Sequence, residues 1–337
     1  MKLSTYFDKE PKIGLVDGDK IWDLRLLYAR YLFEAERISE SSQLATTLVP
    51  RDMTMFIRLN HTRLDYFKEA FDFLQLTAHE ELQSLGLPLK TTRLLPPVLT
   101  PSKILCCGSS YLEYLQAIPN YPKEKWPKDV KLSFLKQPRA LIGHRETIMF
   151  PQGSVEGDYE NELAIIVGRA CSDISEKDAS KYIFGYSVFN DACIRDVPEW
   201  AGGLDSPRGK ANDTQAPLGP WIVPTAFLGK SPNNLSFSTK VAGEIRQQGN
   251  TSGLSWTVER IVAYISRFVG LAPGDVITTG STKGNAHTTR KFLKVGQKIE
   301  CEIEGIGVLE NTVGSRTWKG VIPPLAKQRR RGRVASP

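Results

Sequence analysis

Long apolar runs are missing from this chain. No stretch of its 337 residues approaches the roughly 18 consecutive apolar residues that cross a bilayer. Asp8 and Glu10 stand where a secretory leader would place its apolar core, so the expectation is a cytoplasmic protein without membrane contact. Cysteine is sparse as well. The five present, Cys106, Cys107, Cys171, Cys193 and Cys301, are odd in number and form no CxxC pair. That excludes a disulfide framework and a zinc ribbon and leaves buried, reduced thiols as the expectation.

Acids are absent from the last stretch, residues 321–337. There Lys327, Arg329, Arg330, Arg331 and Arg333 supply five of the net charge of +7, which leaves +2 for the rest of the chain. The basic balance therefore belongs to a tail without apolar periodicity, expected to be disordered, and no nucleic-acid partner is expected.

What is present is the composition of an ordinary globular protein, 41% hydrophobic and 24% charged, long enough for a sizeable core. Asp17-Gly18, flanked by apolar residues, predicts a tight hairpin between Ile13 and Trp22. Helical spacing follows at Leu24, Leu27, Tyr28, Tyr31 and Leu32, with Asp23 as N-cap, and again at Leu64, Phe67, Phe71 and Leu74. Residues 1–95 thus read as a small N-terminal α+β domain. Three prolines in Leu94-Leu-Pro-Pro-Val-Leu-Thr-Pro mark an extended connector into a second, larger domain, residues 96–320. Short strands dominate that domain: Leu132–Leu135, Leu163–Val167, Ile183–Phe189, Val276–Thr279 and the alternating stretch from Ile299 to Val313. Two helices interrupt it, one opened by a capping box at Ser175 and one presenting Val258, Ile261, Val262, Ile265 and Phe268 on a single face. The fold class is α+β, mostly β.

The chemistry gathers at strand ends. In Asp158-Tyr-Glu-Asn-Glu-Leu-Ala-Ile-Ile-Val, Glu160 and Glu162 are two residues apart at the mouth of an apolar strand, so both carboxylates point to one face. A solvated strand end accounts for such a pair, as does a hard cation that offsets its repulsion. A further acid, Asp191, ends the apolar run Phe184-Gly-Tyr-Ser-Val-Phe-Asn. Three carboxylates from two strand ends suit Mg²⁺, Mn²⁺ or Ca²⁺. Arg195 and Lys210 lie close by in sequence and could hold an anionic substrate.

These residues resemble the fumarylacetoacetate hydrolase superfamily over Leu94 to Val313. The likeness is carried by Phe134-Leu-Lys136 (FxK), Asp158-Tyr-Glu-Asn-Glu-Leu (ExE) and Asn190-Asp-Ala-Cys-Ile-Arg-Asp. It extends to Gly209-Lys-Ala-Asn-Asp-Thr-Gln-Ala-Pro-Leu-Gly-Pro-Trp and Leu271-Ala-Pro-Gly-Asp-Val-Ile-Thr-Thr-Gly-Ser. The resemblance implies a mixed β-sandwich roll, a homodimer, and a divalent metal on Glu160, Glu162 and Asp191. It also implies a small oxo-acid substrate, a site role for Lys210, and substrate contacts from Arg195, Lys136 and Ser281. The implied reaction is C–C hydrolysis of a β-dicarbonyl or 2-oxo acid, with decarboxylation or tautomerisation as the alternative and a metal-binding pseudoenzyme or ligand-binding protein as a third.

The sequence departs from the family most at one segment. The family's GxNYxxHxxE, whose His and Glu activate water, aligns with Gly108-Ser-Ser-Tyr-Leu-Glu-Tyr-Leu-Gln-Ala. Tyr114 stands at the His and Ala117 at the Glu. A phenol with a pKa near 10 is a poor base at neutral pH, so Tyr114 is expected to donate or accept a proton or to shape the pocket. His287 and Glu113 are the other candidate bases. The proline-rich segment from Ile118 to Asp129 reads as a lid. Pro198 replaces a Gln of the family pattern, and Trp200 is retained.

Overall fold

The computed structural model describes residues 1–196 and 206–315; the tail, Pro198 and Trp200 lie outside the described residues. The hairpin forms between strands Glu10–Asp17 and Lys20–Asp23 with Asp17 opposite Lys20. Gly18 takes φ +53° in its turn, which glycine adopts without the penalty a Cβ would bring. Strand Lys2–Asp8 pairs with this hairpin on one side and with strand Ala216–Pro224 on the other, Leu3 opposite Ile222. The first residues of the chain are thereby part of a 12-stranded sheet. From Ala216–Pro224 the sheet runs through Ile183–Asn190, Asn161–Val167, Val276–Thr278 and Ile104–Cys107 to the edge strand Leu132–Lys136. A second sheet of five strands is ordered Glu244–Asn250, Ser236–Val241, Lys298–Ile303, Gly307–Ser315, Thr147–Phe150.

Both faces of the large sheet are covered. Along Asn161–Val167, Leu163, Ile165 and Val167 join Phe237, Ile299, Cys301 and Val313 in the core shared with the smaller sheet. The alternate residues Ala164 and Ile166 pack with Leu24, Phe56, Phe67 and Leu74 of the N-terminal helices. A strand buried on both faces reads as a continuous apolar run rather than an alternating one, which is why Leu163–Val167 stands out in the sequence. The core built by the first 95 residues is thus continuous with the core around Ile104, Phe184, Leu218 and Val276.

The helices agree with the expected periodicities where these are long. Helix Leu24–Glu34 buries Leu24, Leu27, Tyr28, Tyr31 and Leu32, and Asp23 caps it by accepting from the amides of Arg25 and Leu26. Helix Leu64–Thr77 buries Leu64, Phe67, Phe71 and Leu74. Two expectations need correction. Phe268 lies beyond the end of helix Val258–Ser266 and is 70% exposed, so it is not on the buried face. The segment after Ser175 is a 3₁₀ turn, Glu176–Tyr182, without a side-chain cap, because the Ser175 hydroxyl donates to the Asp178 carboxylate instead of accepting from a backbone amide. Beyond residue 95 three short helices, Leu112–Ala117, Ser206–Lys210 and Ala286–Thr289, add to the expected pair. The fold is mixed α and β and rich in sheet. No helix among the described residues is long and apolar enough to cross a membrane.

Candidate metal centre

Strands Asn161–Val167 and Ile183–Asn190 run antiparallel with Asn161 opposite Asn190, which sets the preceding Glu160 beside the following Asp191. Two bonds fix that junction: the Asp191 amide donates to the Glu160 carbonyl at 2.8 Å, and the Glu160 amide donates to Asn190 Oδ1 at 3.0 Å. One carboxylate oxygen each of Glu160, Glu162 and Asp191 then lies within 4.8 Å of the others. The three residues are only 6%, 4% and 1% exposed. The solvated strand end is thereby ruled out as a description of the pair.

Cations surround this cluster on one side. Lys210 Nζ donates to Glu160 Oε2 and, at 2.6 Å, to Asp191 Oδ2, with its ammonium 5.2 Å from the centre of the Phe134 ring. Arg195 spans Asp158 and Glu160, at 2.8 Å and 2.7 Å from Nη2. Asn285 Nδ2 adds a bond to Glu160 Oε1 at 2.8 Å. Lys136 Nζ, fully buried, sits 2.8 Å from Asp191 Oδ1 and donates to the carbonyls of Ala192, Lys210 and Gln215.

The two glutamates feel opposite fields. Burial pushes the Glu160 carboxyl up, but Lys210 and Arg195 outweigh it and hold the group down at about 2. Glu162 is pushed well above the ordinary carboxylate range by burial and by the charges of Asp191 and Glu160. Its Oε2 accepts from the Gly280 amide at 2.9 Å, and it pairs with no lysine or arginine among the described residues. Among the described residues four carboxylates, Asp158 included, therefore face three cations, and Glu162 is the carboxylate left without one. An all-oxygen set with an excess negative charge fits a hard divalent cation. The residues present thus suit the metal that the sequence pointed to.

A cavity of about 340 Å³ opens on this cluster, lined by all three acids together with Lys210, Arg195, Tyr114 and Ser281. Ser281 Oγ is held by Gln247 Nε2 at 2.9 Å. The structure thus brings together seven of the eight expected site residues. Lys136 is the exception: its ammonium is used up on three carbonyls and Asp191, so it braces the junction from behind and does not line the cavity. Glu113 points elsewhere, paired with Lys283 at 2.8 Å on the surface. Among the described residues no part of the proline-rich segment lines the cavity; its end is tied down by Asp129, which pairs with Arg260 at 2.6 Å.

Three contributors escaped sequence reasoning. Asp158 accepts from the amides of Ala286 and His287 and pairs with Arg195. Asn285 and Gln247 fix Glu160 and Ser281. Asp158 starts the motif containing Glu160, so its proximity was a usable signal. Nothing local distinguishes Asn285 or Gln247.

Known proteins resemble this chain in sequence and in fold. Residues 103–314 match the family model described as fumarylacetoacetate (FAA) hydrolase C-terminal. The mitochondrial oxaloacetate tautomerase FAHD2A of Homo sapiens is 33% identical over 268 residues, covering 79% of this chain and 80% of that protein. Among solved structures, maleylpyruvate hydrolase from Sphingobium sp. SYK-6, in complex with manganese(II) and pyruvate, aligns with a TM-score of 0.67 at 25% identity over 94% of this chain and 100% of that one. The 2-hydroxyhepta-2,4-diene-1,7-dioate isomerase of Mycobacterium marinum aligns with a TM-score of 0.59 at 34% identity, covering 70% of this chain and 83% of that one.

Proposed function

Because the chain belongs to the fumarylacetoacetate hydrolase family, we propose that it is a divalent-metal-dependent enzyme that interconverts the keto and enol forms of a short 2-oxo acid of the oxaloacetate type. The observation that carries this reading is the buried triad Glu160, Glu162 and Asp191 lining a cavity that also holds Lys210, Arg195 and a phenol. Glu160, Glu162 and Asp191 would hold a Mg²⁺ or Mn²⁺ ion, which would supply Lewis-acid stabilisation of negative charge on a substrate oxygen.

The side chains do the rest. Lys210 and Arg195 keep Glu160 ionised and leave positive potential on the cavity wall for a substrate carboxylate. Glu160, Glu162, Asp191 and Lys210 are buried, which strengthens each of these charge interactions. Tyr114 lines the cavity and its hydroxyl is not bonded to the acids of the triad. Tautomerisation asks only for a proton to be moved, whereas hydrolysis asks in addition for an activated water. Among the described residues the cavity lining contains no histidine and no carboxylate beyond the triad to activate one.

Support for tautomerisation comes from the 33% identity with a protein named for that reaction. C–C hydrolysis is the second reading, favoured by the structural likeness that spans the whole of a maleylpyruvate hydrolase. Homodimerisation and a cytoplasmic location belong to the same proposal. Incubating oxaloacetate and acylpyruvates with the Mg²⁺-loaded protein and Glu160→Ala decides between the readings. Enol–keto exchange without CO₂ or cleavage products, lost in the variant, is the expected result; stoichiometric cleavage would replace tautomerase with hydrolase, and CO₂ release with decarboxylase.

A further inference from the structure

Helix Leu112–Ala117 carries Tyr114 and Ala117 at the positions where the family resemblance implies a water-activating histidine and glutamate, yet the space is not chemically blank. Tyr114, on helix Leu112–Ala117, places its hydroxyl 3.0 Å from His287 Nδ1, on helix Ala286–Thr289, a residue 173 positions away in sequence. Tyr114 lines the cavity and His287 stands behind it, the two rings tilted at 41° with centroids 6.1 Å apart. The histidine is not a loosely held neighbour. Its backbone amide donates to Asp158 Oδ2 at 3.0 Å, Asp158 pairs with Arg195, and Arg195 reaches Glu160. The ring is thus referenced to the acid cluster through one continuous chain of bonds.

Resting on the tautomerase reading, we propose that Tyr114 and His287 are the proton-carrying pair of this site, with Tyr114 the catalytic residue that exchanges a proton with substrate and His287 the positioning residue that stores it. With the phenol as donor, Nδ1 is the acceptor and the ring proton sits on Nε2. The substrate C3–H bond breaks and its proton goes to Tyr114 Oη while the phenol's own proton passes to His287 Nδ1. The C–H electron pair becomes the C2=C3 double bond, and the carbonyl π pair moves to the C2 oxygen. Return of the proton from Nδ1 to Oη, and from Oη to that oxygen, gives the enol and restores both side chains. No co-reactant is consumed.

The surroundings suit the two roles. Burial pushes the Tyr114 phenol up, so it holds its proton at neutral pH and acts as a conduit, not as a phenolate base. The groups facing His287 are Arg195, Glu160, Asp158 and Lys210, besides Tyr114 itself. Burial first and then Arg195 lower its pKa below the ordinary 6.5, against the opposite pull of Glu160 and Asp158, so the ring is neutral and able to accept.

The test uses the Mg²⁺-loaded full chain: C3 hydrogen–deuterium exchange of oxaloacetate in D₂O above the uncatalysed rate, with ¹⁵N spectra of the imidazoles. Tyr114→Phe and His287→Gln are each expected to slow exchange by about 100-fold, the scale of a lost general acid–base group, with melting temperature and Mg²⁺ affinity retained. The wild-type rate should fall on acidification through an apparent pKa below 6.5, a limb that His287→Gln removes. Tyr114→Phe should move the His287 Nδ1 resonance. Wild-type exchange rates in both variants, with the acid limb intact, would overturn the pair while leaving the tautomerase reading standing. Absence of exchange in the wild type, at every metal concentration, would overturn both.

Discussion

Lys136 and Gly280 show how single residues hold the acid cluster without touching substrate. Lys136 is a lysine with no exposed side-chain surface, placed between Asp191 and three carbonyls. Removing one partner of such a buried pair leaves the other charged and dry, so Lys136→Met is expected to destabilise the metal-free protein by about 3–5 kcal/mol, read by chemical denaturation. Gly280 has φ +86° while its amide bonds Glu162. A Cβ there would be strained and would press on Ser110 at 3.0 Å, so Gly280→Ala should cost about 1–3 kcal/mol and weaken Mn²⁺ binding in a calorimetric titration. The glutamates predict a pH signature. Because the Glu162 pKa is raised on folding, the folded metal-free protein binds a proton that the unfolded chain has released, and its stability falls as pH rises above the ordinary carboxylate value. Glu160 has the opposite sign: its contribution is present above about 4.5 and is lost as pH falls toward about 2. With EDTA the melting temperature should therefore rise on acidification from neutral toward pH 5, and saturating Mg²⁺ should abolish that rise. A flat or falling EDTA profile over the same range would count against Glu162 as the uncompensated charge.

At the scale of elements, what could be read in the sequence depended on length. Eleven- and fourteen-residue helices repeat their apolar residues often enough to be seen, and Asp23 is recognisable as a cap because it immediately precedes the first periodic apolar residue; its side chain accepts two first-turn amides. Replacing Asp23 by Ala should cost about 1 kcal/mol in denaturant unfolding, with no change at the metal centre. The strand Asn161–Val167 was equally plain, because burial on two faces makes every residue apolar after Glu162. The helices that complete the site were not. Leu112–Ala117, Ser206–Lys210 and Ala286–Thr289 have six, five and four residues, too few for any period to show, yet they carry Tyr114, Lys210 and His287. The acids and Lys210 could be placed because their motifs are contiguous. The contact between Tyr114 and His287 could not, since it is made by tertiary packing across 173 positions. Ser175 misled for a local reason, its hydroxyl having a nearer partner in Asp178 than the helix amide that a capping box requires.

At the scale of the whole molecule, the acid cluster is a by-product of how two sheets and a helical layer close on one another. The strand that ends at Glu160 and Glu162 is pinned from below by Phe56, Phe67 and Leu74 and from above by Phe237, Ile299 and Val313. The N-terminal helices therefore support the site through the sheet although they contribute no group to it. Deleting residues 1–95 would bare the face formed by Ile104, Ala164, Ile166, Phe184, Leu218 and Val276, an apolar patch that a soluble monomer does not tolerate. The truncated chain is expected to aggregate on expression, and a soluble, folded 96–337 fragment would show that the two parts are independent. An ion on Glu160, Glu162 and Asp191 is proposed to make this family member an enzyme. One titration tests it most directly: Mn²⁺ occupancy by electron paramagnetic resonance and oxaloacetate tautomerisation, followed in the same sample. One ion per chain, activity rising with the same midpoint as occupancy, and loss of both in Glu162→Gln are the expected results. Turnover in the chelated protein, or a bound ion that Glu162→Gln leaves in place, would contradict it.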